Sequence, residues 1–242
     1  MEAITDIHKE NKEIYGVRRV YEELIKDGWE CSVNRVARLM RKAGLRSKTA
    51  KKFKVTTDSD HSHPVAENLL NRNFSIEEPD KAWVGDITYI WTRERWLYLA
   101  VLLDLCDRSV VGWSMSDRID RELVKSALRM AVYKRGVHPG LIHHTDRGSQ
   151  YACEEYGKMV KGYGMIPSMS RKGNCWDNAV AESFFASLKK ELVNHADYRS
   201  REEARQDIFW YIESFYNRNR LHSSLGYLTP AAYGDTRIVI AA

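Results

Sequence analysis

Apolar residues recur at helical spacing twice near the N-terminus of the 242-residue chain. In residues 17–27 they lie three or four positions apart, and Gly28 ends the pattern. Ser32 is suited to cap a second helix, which carries Val36 and Met40 on one face and stops at Gly44. Two short helices around a tight turn are typical of a helix-turn-helix module, and also of small helical pairs that never touch DNA.

The next stretch, residues 48–80, has few large apolar side chains and no clear period. We expect a linker here, with one short helix around 65–73. His61 and His63 have no second pair of metal-ligand residues beside them, which favours a polar linker over a zinc site.

Three β-rich runs follow, at 82–91, 96–105 and 109–116, and the short turns between them predict an antiparallel meander. Beyond them the pattern alternates, with helices at 123–133, 149–163, 179–193 and 201–216 and short strands at 141–144 and 166–169. This order is expected of a ribonuclease-H-like α/β domain, with a mixed five-stranded sheet flanked by helices. Element order alone leaves other α/β folds open. We predict an all-α basic module at 1–50, a linker at 51–79, an α/β core at 80–235 and a tail at 236–242.

Composition narrows the function class. No apolar run approaches the roughly 18 residues of a membrane span, so we expect no membrane partner. Four scattered cysteines without a CxxC pair argue against a disulfide framework and fit a reducing cytoplasm. Between Cys31 and Thr57 there are nine basic residues and no acid, which indicates a polyanionic partner such as nucleic acid, or else a solvated helix face. Arg35, Arg38 and Lys42 lie beside the apolar stripe of the second helix and are the candidate DNA contacts.

Three carboxylates lie at positions in the predicted strands and helices where a functional role is plausible on chemical grounds. Asp86 lies inside an apolar strand, Asp146 ends a strand, and Glu182 lies one turn inside a helix, where capping does not explain it as it explains Asp177 and Asn178. Each acid alone also has an ordinary explanation: a buried ion pair for Asp86, a helix cap for Asp146 and an exposed helix face for Glu182. Together they could converge on hard divalent cations such as Mg²⁺ and serve phosphodiester chemistry.

Lys189 strengthens the case for Glu182 over Asp177. Seven residues make almost two helical turns, so Glu182 and Lys189 lie nearly on the same helix face. Such a pair could hold a metal ion and a nearby phosphate. Residue spacing alone predicts phosphodiester chemistry in general and does not identify the substrate or the reaction.

Five sequence blocks carry a resemblance to a known family. They are YGVRRVYEEL, VGDITYI, HHTDRGSQY, RKGNCWDNAVAESFFASLKKEL and YNRNRLHSSLGYLTPAAY. In this order the chain resembles the insertion-sequence transposases with a retroviral-integrase-like core, and more narrowly the OrfB proteins of insertion-sequence family three.

The resemblance implies a catalytic and metal-binding triad of Asp86, Asp146 and Glu182, with Lys189 as the family's DNA-binding basic residue. It implies Mg²⁺ or Mn²⁺ as cofactor, and DNA as partner, both the element's terminal repeats and the target. It further implies a homo-oligomer on DNA, an OrfA partner or fusion that carries the main end-recognition helices, and action at the bacterial nucleoid. His143, His144 and His222 are expected either to contact DNA and shape the site or simply to pack.

Three functions compete at this point. The first is a metal-dependent DNA transposase, and the second is a DNA-binding regulator of transposition with a vestigial core. The third is another ribonuclease-H-like nuclease, which would differ in the position of its last acid and lack the C-terminal block. Because all three acids and Lys189 are present, the sequence favours the transposase.

Overall fold

A computed structural model describes residues 1–48, 66–171 and 175–241 of the chain. Its centre is a five-stranded sheet of order β3-β2-β1-β4-β5, in which β1 to β3 are antiparallel and β4 and β5 run parallel to β1. The strands are β1 Ala82–Thr92, β2 Arg95–Asp104, β3 Val110–Ser116, β4 Ile142–Thr145 and β5 Ile166–Met169. The mixed five-stranded sheet expected from the sequence is thereby confirmed.

The first three helices form an N-terminal module, and later helices cover both faces of the sheet. The module contains α1 Glu2–Glu10, α2 Val17–Lys26 and α3 Val33–Lys42. The later helices are α4 Arg121–Arg135, α5 Ser149–Ala152, α6 Glu154–Gly162, α7 Ala179–Glu191, α8 Arg201–Phe209 and α9 Pro230–Ala241. Among the described residues, no helix is both long and apolar enough to cross a bilayer.

Strand β2 shows why two layers of helices are needed. Leu99, Val101 and Leu103 point to one side of the sheet and pack with α7 and α8, whereas Ala100 and Leu102 point to the other side and pack with α4 and α6. A strand that is apolar on both faces is stable only when both faces are covered. The α4 layer comes especially close, since a Cβ on Gly112 would lie 2.3 Å from the backbone oxygen of Ala127.

The N-terminal module packs directly on the part of the chain that contains the sheet. The Tyr15 hydroxyl donates to the Asn219 backbone oxygen at 2.7 Å and accepts from the Leu221 amide at 2.9 Å. Arg19 Nε donates to the Leu221 oxygen at 3.0 Å. Val20 of α2 belongs to the same apolar cluster as the sheet, so the module and the core share one hydrophobic interior.

Several elements differ from the sequence expectation. Helix α1 was not predicted, and it forms because Ile4, Ile7 and His8 are buried on one side of it. The helix expected at 65–73 is wrong for its described residues, where Asn71 and Arg72 adopt positive φ of 43° and 63° in a turn. His61 and His63 lie outside the described residues.

The helices expected at 149–163 and 201–216 are interrupted or altered. An extended Cys153, with ψ of 142°, separates α5 from α6. Helix α8 continues as a wider π-helical segment over Trp210–Tyr216. Helix α9 was not predicted and runs past residue 235, where the sequence places the end of the core. The four domain boundaries remain predictions.

Candidate active site

Asp86 lies in β1, and Asp146 directly follows the neighbouring parallel strand β4. The register pairs Gly85 of β1 with Thr145, the last residue of β4, and each acid is the next residue along the chain. Since paired strands lie about 4.8 Å apart, the two carboxylates are side by side at the carboxyl end of β4. The sheet therefore brings together two acids that are 60 positions apart in the chain.

The electrostatics of Asp86 show that the acids act on one another. Burial raises the pKa of Asp86 well above its usual value, and the negative charges of Asp146 and Glu182 raise it further. The Ile87 amide donates to Asp86 Oδ1 at 2.7 Å and, with the charge of Lys189, opposes that rise in pKa. A cluster of like charges of this kind is stabilised by a cation.

The loop after β4 holds the Asp146 carboxylate in place. The Gly148 amide donates to Asp146 Oδ1 at 2.9 Å, and a Cβ on Gly148 would lie 3.0 Å from the same oxygen. Arg147 Nε donates to the Ser170 oxygen at 2.7 Å, which ties this loop to the end of β5. Helix α5 begins without a side-chain cap, so the capping role considered for Asp146 is not observed.

Glu182 reaches the two aspartates from helix α7. Its side chain is exposed, and partial burial of the carboxyl raises its pKa. The start of α7 is fixed to β1 beside Asp86, because Asn178 Nδ2 donates to the Gly85 oxygen at 3.3 Å. This contact sets the position of the helix, and with it Glu182, over the aspartates.

The capping role expected of Asp177 and Asn178 is wrong, because α7 begins without a side-chain cap. Asp177 is fully buried, and its carboxylate accepts hydrogen bonds from Arg171, Arg72 and Asn68 at 2.8–3.0 Å. The hydrogen bond from the Arg171 side chain is the largest cause of a pKa held far below the usual value for Asp177. Asp177 thus holds the segment before α7 against the 66–72 stretch.

Lys189 lies on the side of α7 that faces β1. It is buried, its Nζ lies 5.0 Å from the centroid of the Tyr89 ring, and its charge acts on Asp86. Burial lowers the pKa of Lys189 to about 8, and the Asp86 charge opposes the shift. The side chain is therefore largely charged at neutral pH and brings a cation to the edge of the acid cluster.

The three acids interact electrostatically without forming a ready metal cage. Within the described ranges, no three side chains of Asp, Glu, His or Cys are grouped closely enough to hold an ion as they stand. The donor chemistry nevertheless fits, because three carboxylates supply the hard oxygen ligands that Mg²⁺ and Mn²⁺ prefer.

Comparison with known proteins gives the family. The integrase core domain family matches residues 76–175 and a second integrase core family matches 163–230, while an HTH-like domain family matches 1–53. The chain is 45% identical over 228 residues to the transposase InsF of insertion sequence IS3A from Escherichia coli, covering 94% of this chain and 79% of that protein. The chain belongs to the integrase-core transposases of the IS3 type.

Other relatives agree with this assignment. This transposase is 45% identical to the uncharacterized 31 kDa protein of insertion element IS600 from Shigella sonnei, over 94% of this chain and 84% of that protein. It shares its fold with the simian T-cell lymphotropic virus intasome (TM-score 0.54, 16% identity, 96% of this chain and 74% of that one). It also resembles the trimeric form of the HTLV-2 integrase catalytic core domain, with a TM-score of 0.51 at 17% identity, over 65% of this chain and 97% of that one.

The three histidines of the transposase are packed inside it. His143 bonds to the Tyr156 hydroxyl at 2.7 Å, and His144 contacts Ser168 Oγ at 2.8 Å. Burial lowers the pKa of His143 to about 3 and that of His144 to about 4, so both rings are neutral near pH 7. His222 is also buried and contacts Arg220. Of the two roles considered, packing accounts for all three.

The candidate DNA contacts of the module lie on the surface of the transposase, on an element separate from the acids. Arg35, Arg38 and Lys42 are exposed on α3, whose start is capped by Ser32 accepting from the Arg35 amide at 3.2 Å. Val36 and Met40 of the same helix are buried against the module interior. The helix therefore presents a basic face while its apolar face holds the module together.

A buried ion cluster at the end of α7 was missed by sequence reasoning. Arg220 donates to both oxygens of Glu191, from Nη2 at 2.7 Å and from Nε at 2.8 Å, and the Tyr211 hydroxyl donates at 2.8 Å. Arg19 of α2 lies 3.4 Å from the same carboxylate. The cluster joins the module, α7 and the C-terminal block. In the sequence, Arg19, Glu191 and Arg220 are ordinary charged residues in three separate segments, and nothing there indicates that they pair.

Proposed function

We propose that this transposase cuts and joins DNA strands at the ends of an insertion sequence, with Asp86, Asp146 and Glu182 as its catalytic acids. The observation that carries the proposal is the register that sets Asp86 beside Asp146, with α7 fixed to the same strand through Asn178. The regulator alternative needs a vestigial site, whereas here the acids remain electrostatically coupled and Lys189 adjoins them.

We infer that the acids bind divalent metal ions. Three carboxylates repel a phosphodiester, so DNA approaches this site only when cations balance their charge. When bound, such ions activate an attacking hydroxyl and stabilise the leaving oxygen of an in-line displacement. The structure of the HTLV-2 integrase core contains magnesium, which supports Mg²⁺ here, and Mn²⁺ suits the same oxygen ligands.

The residues of the chain itself position the DNA. Asp86 and Asp146 stay fixed by the Ile87 and Gly148 amides, while exposed Glu182 closes the cluster from the solvent side. Lys189 supplies the positive charge for a phosphate next to the reacting one. Arg35, Arg38 and Lys42 supply a second basic surface for the terminal repeat. We also propose assembly as a homo-oligomer on DNA, together with an OrfA partner.

A strand-transfer assay tests the function. Labelled duplexes of the inverted repeats that flank the coding region are incubated with the full chain, with and without an OrfA protein, in Mg²⁺, in Mn²⁺ or in EDTA. We expect joined strands in either metal and none in EDTA. Joining in EDTA would contradict the metal-dependent mechanism, whereas tight binding without cleavage under every condition would favour the regulator.

Replacing Lys189 with methionine is expected to weaken binding to end DNA by about tenfold and to reduce the salt slope of binding by about one. The reason is that one cation–phosphate contact is lost while the side-chain volume is kept. Fluorescence anisotropy at several salt concentrations measures both quantities. Lys190→Met is the matched control, since the neighbouring lysine of α7 is exposed whereas Lys189 is buried. Equal losses in the two variants would show that Lys189 makes no special contact.

A further inference from the structure

The β1–β2 hairpin carries three neighbouring aromatic rings, the exposed Trp91 and Trp96 and the half-buried Tyr89, which we name the hairpin aromatic cluster. Trp91 and Trp96 are 57% and 40% exposed. They are paired across the strands with ring centroids 4.8 Å apart, and Tyr89 lies edge-on to Trp96 at 5.0 Å. Large aromatic side chains that stay exposed together usually mark a binding surface.

The cluster is continuous with the acid site. Tyr89 is three residues beyond Asp86 on β1, which is roughly 10 Å along the strand. Lys189 Nζ lies 5.0 Å from the centroid of the Tyr89 ring. A cavity of about 250 Å³ is lined by the three aromatic residues, by Lys189 and by Asn194, among others. It is smaller than the about 300–1,000 Å³ of pockets for drug-sized ligands, so it suits a single ring system.

The chemistry of this cavity matches a nucleotide. Aromatic rings stack on any base because every base has a π-face, and such stacking does not depend on sequence. The Lys189 ammonium beside the rings provides a cation for the phosphate of the same nucleotide. A second copy of the chain would cover the rings equally well, but it gives no reason for a buried cation at their inner edge.

We propose that the hairpin aromatic cluster is a stacking site for one unpaired nucleobase at the DNA end, next to the phosphate that lies between Asp86 and Lys189. A base taken out of the duplex loses its stacking on its neighbours, and the cluster replaces that contact. The inference rests on the proposed function, because it requires a DNA end at the acid site.

A binding experiment tests this site without needing catalysis. Two fluorescein-labelled duplexes of the inverted repeat are compared, one fully paired and one with mismatched terminal pairs that leave the end bases free. We expect the full chain to bind the frayed duplex about tenfold more tightly than the paired one. Trp91→Ala combined with Trp96→Ala should remove this preference while the affinity for the paired duplex stays nearly unchanged.

Controls separate stacking from misfolding. Tyr133→Ala removes a 93% exposed ring on α4 and should keep the wild-type preference. Trp91→Phe should keep most of it, because a smaller aromatic face remains. Retained preference in the double alanine variant, or none in the wild type, would overturn the stacking site. Loss of self-association by the double variant in size-exclusion chromatography, with the preference intact, would identify a second copy as the occupant. Failure of the wild type to bind either duplex, both alone and with an OrfA protein, would overturn the proposed function itself.

Discussion

Glu182→Gln is expected to lower strand transfer by at least about 10³-fold while leaving DNA binding intact. Replacing a residue that only orients a metal ligand typically costs 10–100-fold, and loss of a direct ligand should exceed that. The substitution keeps the shape of an exposed side chain and removes its charge, so the fold should not change. The strand-transfer assay in Mg²⁺, run beside an anisotropy titration, measures both effects.

Glu202→Gln is the matched control for this result. Glu202 is an exposed glutamate in the first turn of α8, away from the acid cluster, and its loss should leave strand transfer unchanged. Full activity of Glu182→Gln would refute the assignment of Glu182 as the third acid. A parallel loss of DNA binding would instead point to a structural role.

Glu191→Gln is expected to lower the free energy of unfolding by about 3–5 kcal/mol. The substitution leaves Arg220 buried and Arg19 half-buried beside it without the carboxylate that balances them. Urea unfolding followed by circular dichroism measures the loss. Glu22→Gln breaks the Arg18–Glu22 pair on the surface of the same module, in which Arg18 is exposed and Glu22 half-buried, and should cost about 1 kcal/mol or less. Similar losses in both variants would contradict the role of the buried cluster.

The stabilities of the wild type and of Glu191→Gln should depend differently on pH in the acid range. Burial raises the pKa of Glu191, but the hydrogen bonds and charge of Arg220, with the charge of Arg19, outweigh it and hold the pKa below the usual value. The carboxylate therefore contributes stability above the unfolded-state pKa of about 4.3, and this contribution is lost as the pH falls through the lower folded-state pKa. The gap between wild type and Glu191→Gln should be constant near neutral pH and should narrow below about pH 4. A gap independent of pH would show that the carboxylate is not the source of the difference.

Local patterns predicted most of the catalytic fold. Strand β5 was placed at its observed bounds, and the meander strands were placed to within one residue at each end. These segments have a clear pattern of apolar residues and clear turns at their ends, so the local sequence alone is enough to predict them as strands. Helix α1 escaped prediction because its two buried isoleucines are surrounded by charged residues, and only packing against α2 and α3 reveals the buried side.

The candidate site depended on contacts that no local pattern contains. The register between Gly85 and Thr145 sets Asp86 against Asp146, and it arises from sheet pairing between distant segments. Asp177 looked like a helix cap because it precedes a helix, yet its partners Arg72 and Asn68 are more than 100 positions away. In the same way, the Glu191 cluster joins three parts of the chain whose charges give no pairing in the sequence.

The contact between the N-terminal module and the core has a geometric consequence for DNA. Tyr15 and Arg19 fix α2 to the segment around Leu221, and Glu191 fixes that same assembly to the helix that carries Glu182. The basic face of α3 and the acid cluster thus keep a set separation. If both surfaces bind one duplex, the rigid spacing between them fixes the number of base pairs between the bases bound by α3 and the phosphodiester that is cut.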